Sequence, residues 1–357
     1  MTSYIRATGN ISPQLSFGNN LFPTAPIAYE GNRMTAIEPD YRALIDAKLI
    51  RRMSRIIKMG VAAAQSCLQE AGTVAPDAIL TGTAYGCLED TEAFLAKMVE
   101  NKEALLTPTA FIQSTHNTVG SQIALLLQCH GYNNTFVHKG FSFETALLDA
   151  MLLLAENDSG EVLVGGLDEI TDSSHAILSR FGLYKRKPGS SLALFDSESK
   201  GTIAGEGAAF FLLSNKPSST DYARIQGVST LYKPLDVPEV KQHLLDFLHS
   251  CRLDPGDIDL LITGRNGDQQ GDEIYQQVCQ AIFGTCTMIP FKQLCGEYPT
   301  ATAFALWLAA VILKNGGPIL ADQETGKMKT IMPRQVLIYN QYQGTHHSFF
   351  LISHVDL

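Results

Sequence analysis

The sequence predicts an α/β protein made of two related halves, on three observations. Short apolar runs bounded by glycine alternate with helical patterns through all 357 residues. A polar stretch, SNKPSSTD at 214–221, interrupts that alternation once. On either side of it the pattern closes on similar apolar strands, GAAFFLLS at 207–214 and the pair VLIYN and HSFFLIS near the C-terminus. The expected halves are 1–216 and 217–357, related by duplication. Strands separated by helices predict parallel sheets covered on both faces.

In chain order, SYIRATG opens as a short strand. Asp40 precedes a long helical run, RALIDAKLIRRMSRIIKMGVAAAQSCLQEAG, which Gly72 ends, and AILTGT follows as a buried strand. Asn117 is placed to cap TVGSQIALLLQC. NNTFVH is the next strand. FETALLDAMLLLA is apolar on nearly every side, which implies a helix inside the core. EVLVGG and GAAFFLLS complete the first half. The second half repeats the scheme with helix HLLDFLHSC, strand DLLITG, helix DEIYQQVCQAIF, strand TMIPF, helix TATAFALWLAAVIL and the terminal strand pair.

With 45% apolar and 18% charged residues the chain can bury a large core and is no disordered or fibrous segment. Seven scattered cysteines without a CxxC pair, several inside apolar helical runs, favour a reducing cytoplasm. The first residues lack a basic region followed by a long apolar run, and no later stretch reaches membrane-spanning length, so neither export nor a membrane is expected. A net charge of −9 argues against general nucleic-acid binding. An acidic partner needs a local basic patch, and KLIRRMSRIIK offers one. Lys48, Arg51, Arg52, Arg55 and Lys58 recur at spacings of three and four opposite an apolar stripe, fitting a solvated face or the docking of an acidic protein.

Local chemistry alone is sparse. His346 and His347 are adjacent and in a strand point to opposite faces, a poor metal pair. GRNGDQQGD at 264–272 lacks the spacing of a phosphate or dinucleotide loop. TFVHKGFSFETA at 135–146 runs from strand through glycine into helix, the local form of a nucleophile elbow, but its bend residue is Gly140. Ser142, Thr145, His138 and Lys139 cluster there, as strand-end and first-turn polar residues or as support for other chemistry.

The chain resembles the β-ketoacyl-acyl carrier protein synthases. IRATGNISP at 5–13 looks like their opening strand and turn, and IRRMSRIIKMGVAAAQSCLQEAG like their first long helix. GYNNTFVHKGFSFETALLDA takes the place of the elbow, EVLVGGLDEI resembles the strand with paired glycines, and FDSESKGTIAGEGAAFFLL the glycine-glutamate-glycine stretch. The resemblance implies the thiolase fold, two duplicated α/β halves in five layers (αβαβα), almost always dimeric, with no cofactor.

The family's condensation uses an elbow cysteine that carries the acyl chain and two histidines that hold the extender thioester and promote its decarboxylation. Counted from Gly131, the cysteine position falls on Gly140. Counted back from Gly271-Asp272, the first histidine position falls on Gly264. FKQLCGE keeps the family's lysine at Lys292 and carries Glu297 at the second histidine position. No cysteine lies between Cys129 and Cys251, so no small shift restores the nucleophile. The catalytic set is expected to be lost.

A member without its triad matches the chain-length factor, an inactive partner of an active ketosynthase that serves an acyl carrier protein. In such dimers a segment ahead of the elbow helix lines the partner's acyl tunnel. Here it is TPTAFIQSTHNTVG, with Phe111, Ile112, Gln113, Thr115, His116 and Asn117 as candidates for the gate or for dimer packing. Arg52 and Arg55 are the candidates for carrier-protein docking. FIQSTHNTVGSQIALLL particularly resembles ketosynthase-like proteins of bacterial aryl polyene and flexirubin pathways. Two alternatives stand beside this one: an enzyme of altered mechanism, a decarboxylase or an acyltransferase relying on Ser142 or Glu297, and a non-catalytic homodimeric scaffold for acyl carrier protein.

Overall fold

The computed structural model describes residues 2–19, 21, 25–156, 160–187, 189–196, 199–284, 286–321 and 328–356. Ser197 and Glu198, inside the glycine-glutamate-glycine approach, lie outside them. The first half supplies strands β1 (Ser3–Ile11), β2 (Ala78–Gly82), β3 (Tyr132–Phe136), β4 (Glu161–Asp168) and β5 (Gly207–Ser214). The second supplies β6 (Ala223–Tyr232), β7 (Leu260–Thr263), β8 (Thr287–Pro290), the small hairpin β9 (Gly317–Ala321) and β10 (Met328–Ile331), β11 (Gln335–Tyr342) and β12 (His346–Ser353). Helices of the first half are α1 (Ala47–Ile50), α2 (Arg55–Ala71), α3 (Leu88–Glu100), α4 (Pro108–Gln113), α5 (Thr118–Leu127), α6 (Ser142–Glu156) and α7 (Asp172–Arg180). Those of the second are α8 (Val237–Ser250), α9 (Gln269–Phe283), α10 (Lys292–Cys295) and α11 (Thr302–Asn315).

One ten-stranded sheet runs β3-β2-β4-β5-β1-β6-β12-β11-β7-β8. With the separate β9–β10 hairpin left out of the count, each half read outward from the middle has the same order of its own strands: first, fifth, fourth, second, third. The duplication expected from the sequence is therefore present in the topology. The sheet is mixed rather than parallel, which corrects the sequence-based expectation. Parallel pairing is confined to β3-β2-β4 and β8-β7-β11, while β4-β5, β5-β1, β6-β12 and β12-β11 are antiparallel. Where two strands meet through a tight turn, as at 343–345, the chain has no helix with which to cross over, and the pair must be antiparallel. Three residue pairs, Ser3 with Ile225, Tyr4 with Arg224 and Ile5 with Ala223, join the halves into one sheet.

Two central helices lie between the halves, giving five layers. From Thr302 to Leu313 every residue of α11 is buried, Trp307 completely. Its cluster also takes in Phe143, Leu147 and Met151 of α6 and the inner faces of both half-sheets. Outside, α2 and α5 cover the first half through Ile56, Val61, Ala64 and Ile123, and α8 and α9 cover the second through Leu244, Leu248, Tyr275 and Val278. FETALLDAMLLLA is less enclosed than its composition implied, since Leu152 on α6 is 44% exposed.

The run expected as one helix from Asp40 is broken. Asp40 opens a single 3-10 turn, Asp46 accepts the Lys48 amide at 2.8 Å to start α1, and extended Ser54 starts α2 afresh. Residues that bond neighbouring amides interrupt a helix whatever its apolar period. The expected stop at Gly72 is present, with φ +70 in the left-handed region.

Candidate functional site

Lys139, Gly140 and Phe141 form a single 3-10 turn between β3 and α6. The strained residue is Lys139, with φ +48, whereas Gly140 does not have positive φ. What Gly140 answers is close approach. A Cβ placed there would lie 2.8 Å from Tyr342 Cβ and 3.1 Å from His346 Cβ. The place a nucleophile would occupy is filled from the β11–β12 turn. His346 packs its ring 4.7 Å from Phe141 and 4.9 Å from Tyr232, and the buried Tyr342 hydroxyl lies 3.3 Å from that of Tyr85.

The polar residues of the elbow are held in its own turns. Ser142 Oγ, fully buried, accepts the His138 amide at 2.8 Å and donates to the Lys139 carbonyl at 2.8 Å. Thr145 Oγ1 donates to the Phe141 carbonyl one turn back. Asn117 sits at the N-cap of α5 as expected, but its side chain makes no capping bond and reaches Ser121 at 3.5 Å.

Tyr342, which packs on Gly140, also lines a cavity of about 300 Å3 that opens below α7. Tyr85, Tyr184 and Tyr342 form aromatic walls, with Leu178 and Phe181 toward α7, while Asn266 and Glu297 give it a polar floor. Asn266 Nδ2 donates to Glu297 Oε2 at 2.6 Å, and Lys292 Nζ donates to the same oxygen at 2.7 Å and to the Gln341 carbonyl at 3.2 Å. Lys292 is fully buried and Glu297 7% exposed, so this ion pair is cut off from bulk water. Burial pushes the Glu297 carboxyl above the usual range, and the Lys292 ammonium beside it pulls the other way. Glu297 Oε1 has no hydrogen-bond partner.

Gly264, the counted position of the first histidine, lies at the end of β7. The Gly264 amide prolongs β7 by bonding the Tyr339 carbonyl at 2.9 Å, and the Asn340 amide and Tyr275 hydroxyl fill the space a side chain would need. Gly264 does not line the cavity. Asn266 does, followed by Gly267 at φ +78, and Asp272 holds this loop by accepting both the Asn266 and Gly267 amides. Tyr85, Tyr184, Asn266 and Tyr342 escaped the sequence reading; the only available signal was the asparagine-glycine pair inside GRNGDQQGD.

The other candidates separate. Arg55, expected as a docking residue, is consumed inside the fold. Its guanidinium grips buried Glu206 at 2.6 and 2.7 Å and Glu38 at 2.5 Å. Glu206 also accepts the Ala36 and Ile170 amides, so the glutamate of the glycine-glutamate-glycine stretch ties three segments together. Arg52 lies outside that helix in the turn before it, exposed, its carbonyl accepting the Gln113 side-chain amide. On α4, Phe111 and Ile112 are 57% and 63% exposed, with Phe111 against Phe94 at 5.6 Å. Thr115 bonds the Ile112 carbonyl and Thr118, and exposed His116 lies over Gly86. His346 and His347 do not form a metal pair, and among the described residues no group of histidine, cysteine and carboxylate has metal-ligand geometry. No helix among them is long and apolar enough to cross a membrane.

Deep in the core, Glu144 of α6 faces the hydroxyls of Thr302 and Ser348 without a well-formed bond to either. Burial raises its carboxyl from 4.5 to about 7. The folded state thus holds a proton that the unfolded chain releases, so stability falls as pH rises from 4.5 to about 7, and the cost is fully present above that. Glu144→Gln is expected to stabilise the fold by roughly 3 kcal/mol near pH 8 and by little near pH 4.5. Urea unfolding at the two pH values checks this.

Two related α/β halves in five layers, with two central helices between them, define a protein of the thiolase-fold class. The sequence signature of the β-ketoacyl synthase N-terminal domain matches residues 29–209, and the chain belongs to the β-ketoacyl synthase family. Solved structures similar to it over 99% of both chains include the ishigamide ketosynthase/chain length factor (TM-score 0.81, 15% identity) and a β-ketoacyl synthase from Burkholderia phymatum (0.82, 18%). A third, also over 99% of both, is a type II PKS acyl-carrier protein in complex with its ketosynthase bound to the hexaketide (0.79, 13%). No curated protein matches the sequence.

Proposed function

We propose that the chain is a catalytically degenerate ketosynthase homologue that acts as the chain-length-factor partner of an active ketosynthase, serving an acyl carrier protein in polyene or related polyketide synthesis. The observation that carries this is the filled elbow. Gly140 offers no nucleophile, Tyr342 and His346 occupy the space beside it, and Asn266 and Glu297 floor the cavity. Glycine cannot attack a thioester. An ionised Glu297 already bound to Lys292 gives a developing oxyanion no donor.

Partnership is supported by what the first half leaves uncovered. β3 is an edge strand of the sheet, with Tyr132 47% exposed, and Leu125 of α5 beside it is 70% exposed. With Phe111, Ile112 and Val137 these form apolar surface of the kind a monomer covers. Arg52 remains the basic residue proposed for contact with the carrier protein.

Co-expression with an active ketosynthase from the same source is expected to give a heterodimer that co-purifies; two chains that elute separately would sink the partner reading. Within that complex, Phe111→Ala or His116→Ala is expected to lengthen the product by at least one two-carbon unit, because the removed volume opens the partner's tunnel. Unchanged lengths in both variants, read by mass spectrometry, would remove segment 109–118 as the gate. An aryl polyene product would fix the pathway.

A further inference from the structure

A second polar constellation lies away from the elbow, where α6 and α8 meet along β6. β12 pairs with β6 from Arg224 to Tyr232, but on the other side β1 pairs only with Ala223 to Ile225. From Gln226 onward that edge of β6 has no strand beside it among the described residues. A cavity of about 430 Å3 opens there, lined by Val228 and Ser229 of the strand, Leu148 and Met151 of α6, and His243 and Phe247 of α8. Ser229 and His243 are both half-buried, and Ser229 Oγ lies 2.8 Å from His243 Nε2, the reach of a nucleophile and its base. The imidazole rests against buried Phe349, with ring centroids 5.7 Å apart. Asp246, one turn along α8, lines the same cavity. Burial lowers the His243 imidazole from its ordinary value while Asp246 and Glu239 pull the other way, so the ring is neutral at pH 7 and free to take a proton. The Lys233 amide bonds the Thr345 carbonyl at the end of the β6–β12 ladder. Backbone groups alternate in direction along a strand, so the Val228 amide points away from β12, toward the unpaired edge.

We propose that Ser229 is a nucleophile with His243 as its base, and that this cavity takes small activated esters with a short apolar acyl group and hydrolyses them. Ser229 Oγ bonds to the ester carbonyl carbon as its proton passes to His243 Nε2; the ester C–O bond then breaks and the leaving oxygen takes that proton. Water repeats the sequence on the acyl-serine. Its oxygen bonds to the carbonyl carbon, its proton passes through His243 Nε2 to Ser229 Oγ, and the free acid departs. The Val228 amide on the open edge meets the oxyanion, the Asp246 carboxylate stabilises the imidazolium, and Leu148, Met151 and Phe247 hold the acyl group. No carbon-carbon bond is made. This cavity shares no lining residue with the one below α7, so ester hydrolysis and heterodimer formation stand or fall by different measurements.

The test treats the purified full chain with an alkyl fluorophosphonate, which phosphonylates a base-activated serine with loss of fluoride, and follows 4-nitrophenyl acetate hydrolysis alongside. Peptide mass spectrometry is expected to find the label on Ser229 in the folded chain and not after unfolding in urea. Ser229→Ala is expected to lose both the label and the ester hydrolysis. His243→Gln is expected to slow labelling at least tenfold. In the unsubstituted chain the labelling rate is expected to climb as pH rises through a midpoint below 6.5, the ordinary histidine value, because only the neutral ring accepts the proton. An unlabelled Ser229, equal labelling of the unfolded chain, an unchanged rate in His243→Gln, or undiminished hydrolysis in Ser229→Ala would each overturn the proposal and leave the Ser229–His243 bond as a tie between β6 and α8.

Discussion

Gly140→Cys is expected to form no carbon-carbon bond from malonyl and acyl carrier protein substrates, like the unsubstituted chain alone. The thiol would have to enter space held by Tyr342 Cβ at 2.8 Å, and the cavity that Tyr342 lines carries Asn266 and Glu297 rather than two histidines. Displacing a buried aromatic side chain next to the bend is overpacking, with an expected loss of about 1–3 kcal/mol. Turnover by this single variant, detected as a β-ketoacyl product by mass spectrometry, would show that decarboxylation is supported by residues not placed here. A silent but equally stable variant would mean that Tyr342 moves aside readily and that its packing does not hold the elbow closed.

The second large effect is expected at Lys292. Replacing it with methionine keeps the volume but leaves Glu297 as an unpaired carboxylate, 7% exposed, with Asn266 as its only remaining donor. Breaking one side of a buried pair typically costs about 3–5 kcal/mol, far more than the intact pair contributes. Burial already holds the Glu297 carboxyl high, and without the ammonium it goes higher, so the loss is expected to be largest at alkaline pH and to shrink on acidification as the carboxyl takes up a proton. Lys292→Met combined with Glu297→Gln is expected to recover most of it. Urea midpoints for the two variants across pH provide the check; equal losses in single and double variants would mean that Lys292 matters through packing alone.

The alternation of apolar runs and helical patterns carried the architecture because burial writes itself into local periodicity. The strand borders, the stop at Gly72 and the duplication were legible for that reason. Sheet direction was not, since antiparallel pairing of β4 with β5, or of β1 with β6, depends on contacts distant in sequence. At the site, Gly140 and Glu297 could be reached by counting, and Lys292 by the residues around it. Asn266 was missed because its place at the cavity depends on how the 264–268 loop folds, which its neighbours in sequence do not reveal. The pairing of Arg55 was not legible because nothing local distinguishes an arginine in solvent from one folded onto Glu206, 151 residues later. Tyr342 carries the closing of the elbow, yet in sequence it is one aromatic residue near the end of a strand.

The placement of the first strand constrains how the chain can be born. β1, made from residues 3–11, lies in the middle of the ten-stranded sheet, flanked by β5 and β6, which emerge about two hundred residues later. At ordinary ribosomal speeds of about 5–20 residues per second its two hydrogen-bonding edges wait for tens of seconds or a sizeable part of a minute. Throughout that interval Ile5, Ala7 and Ile11, wholly enclosed in the finished molecule, have no sheet to enter. Of this sheet's strands, β1 is therefore the one on which a chaperone has the longest hold during synthesis.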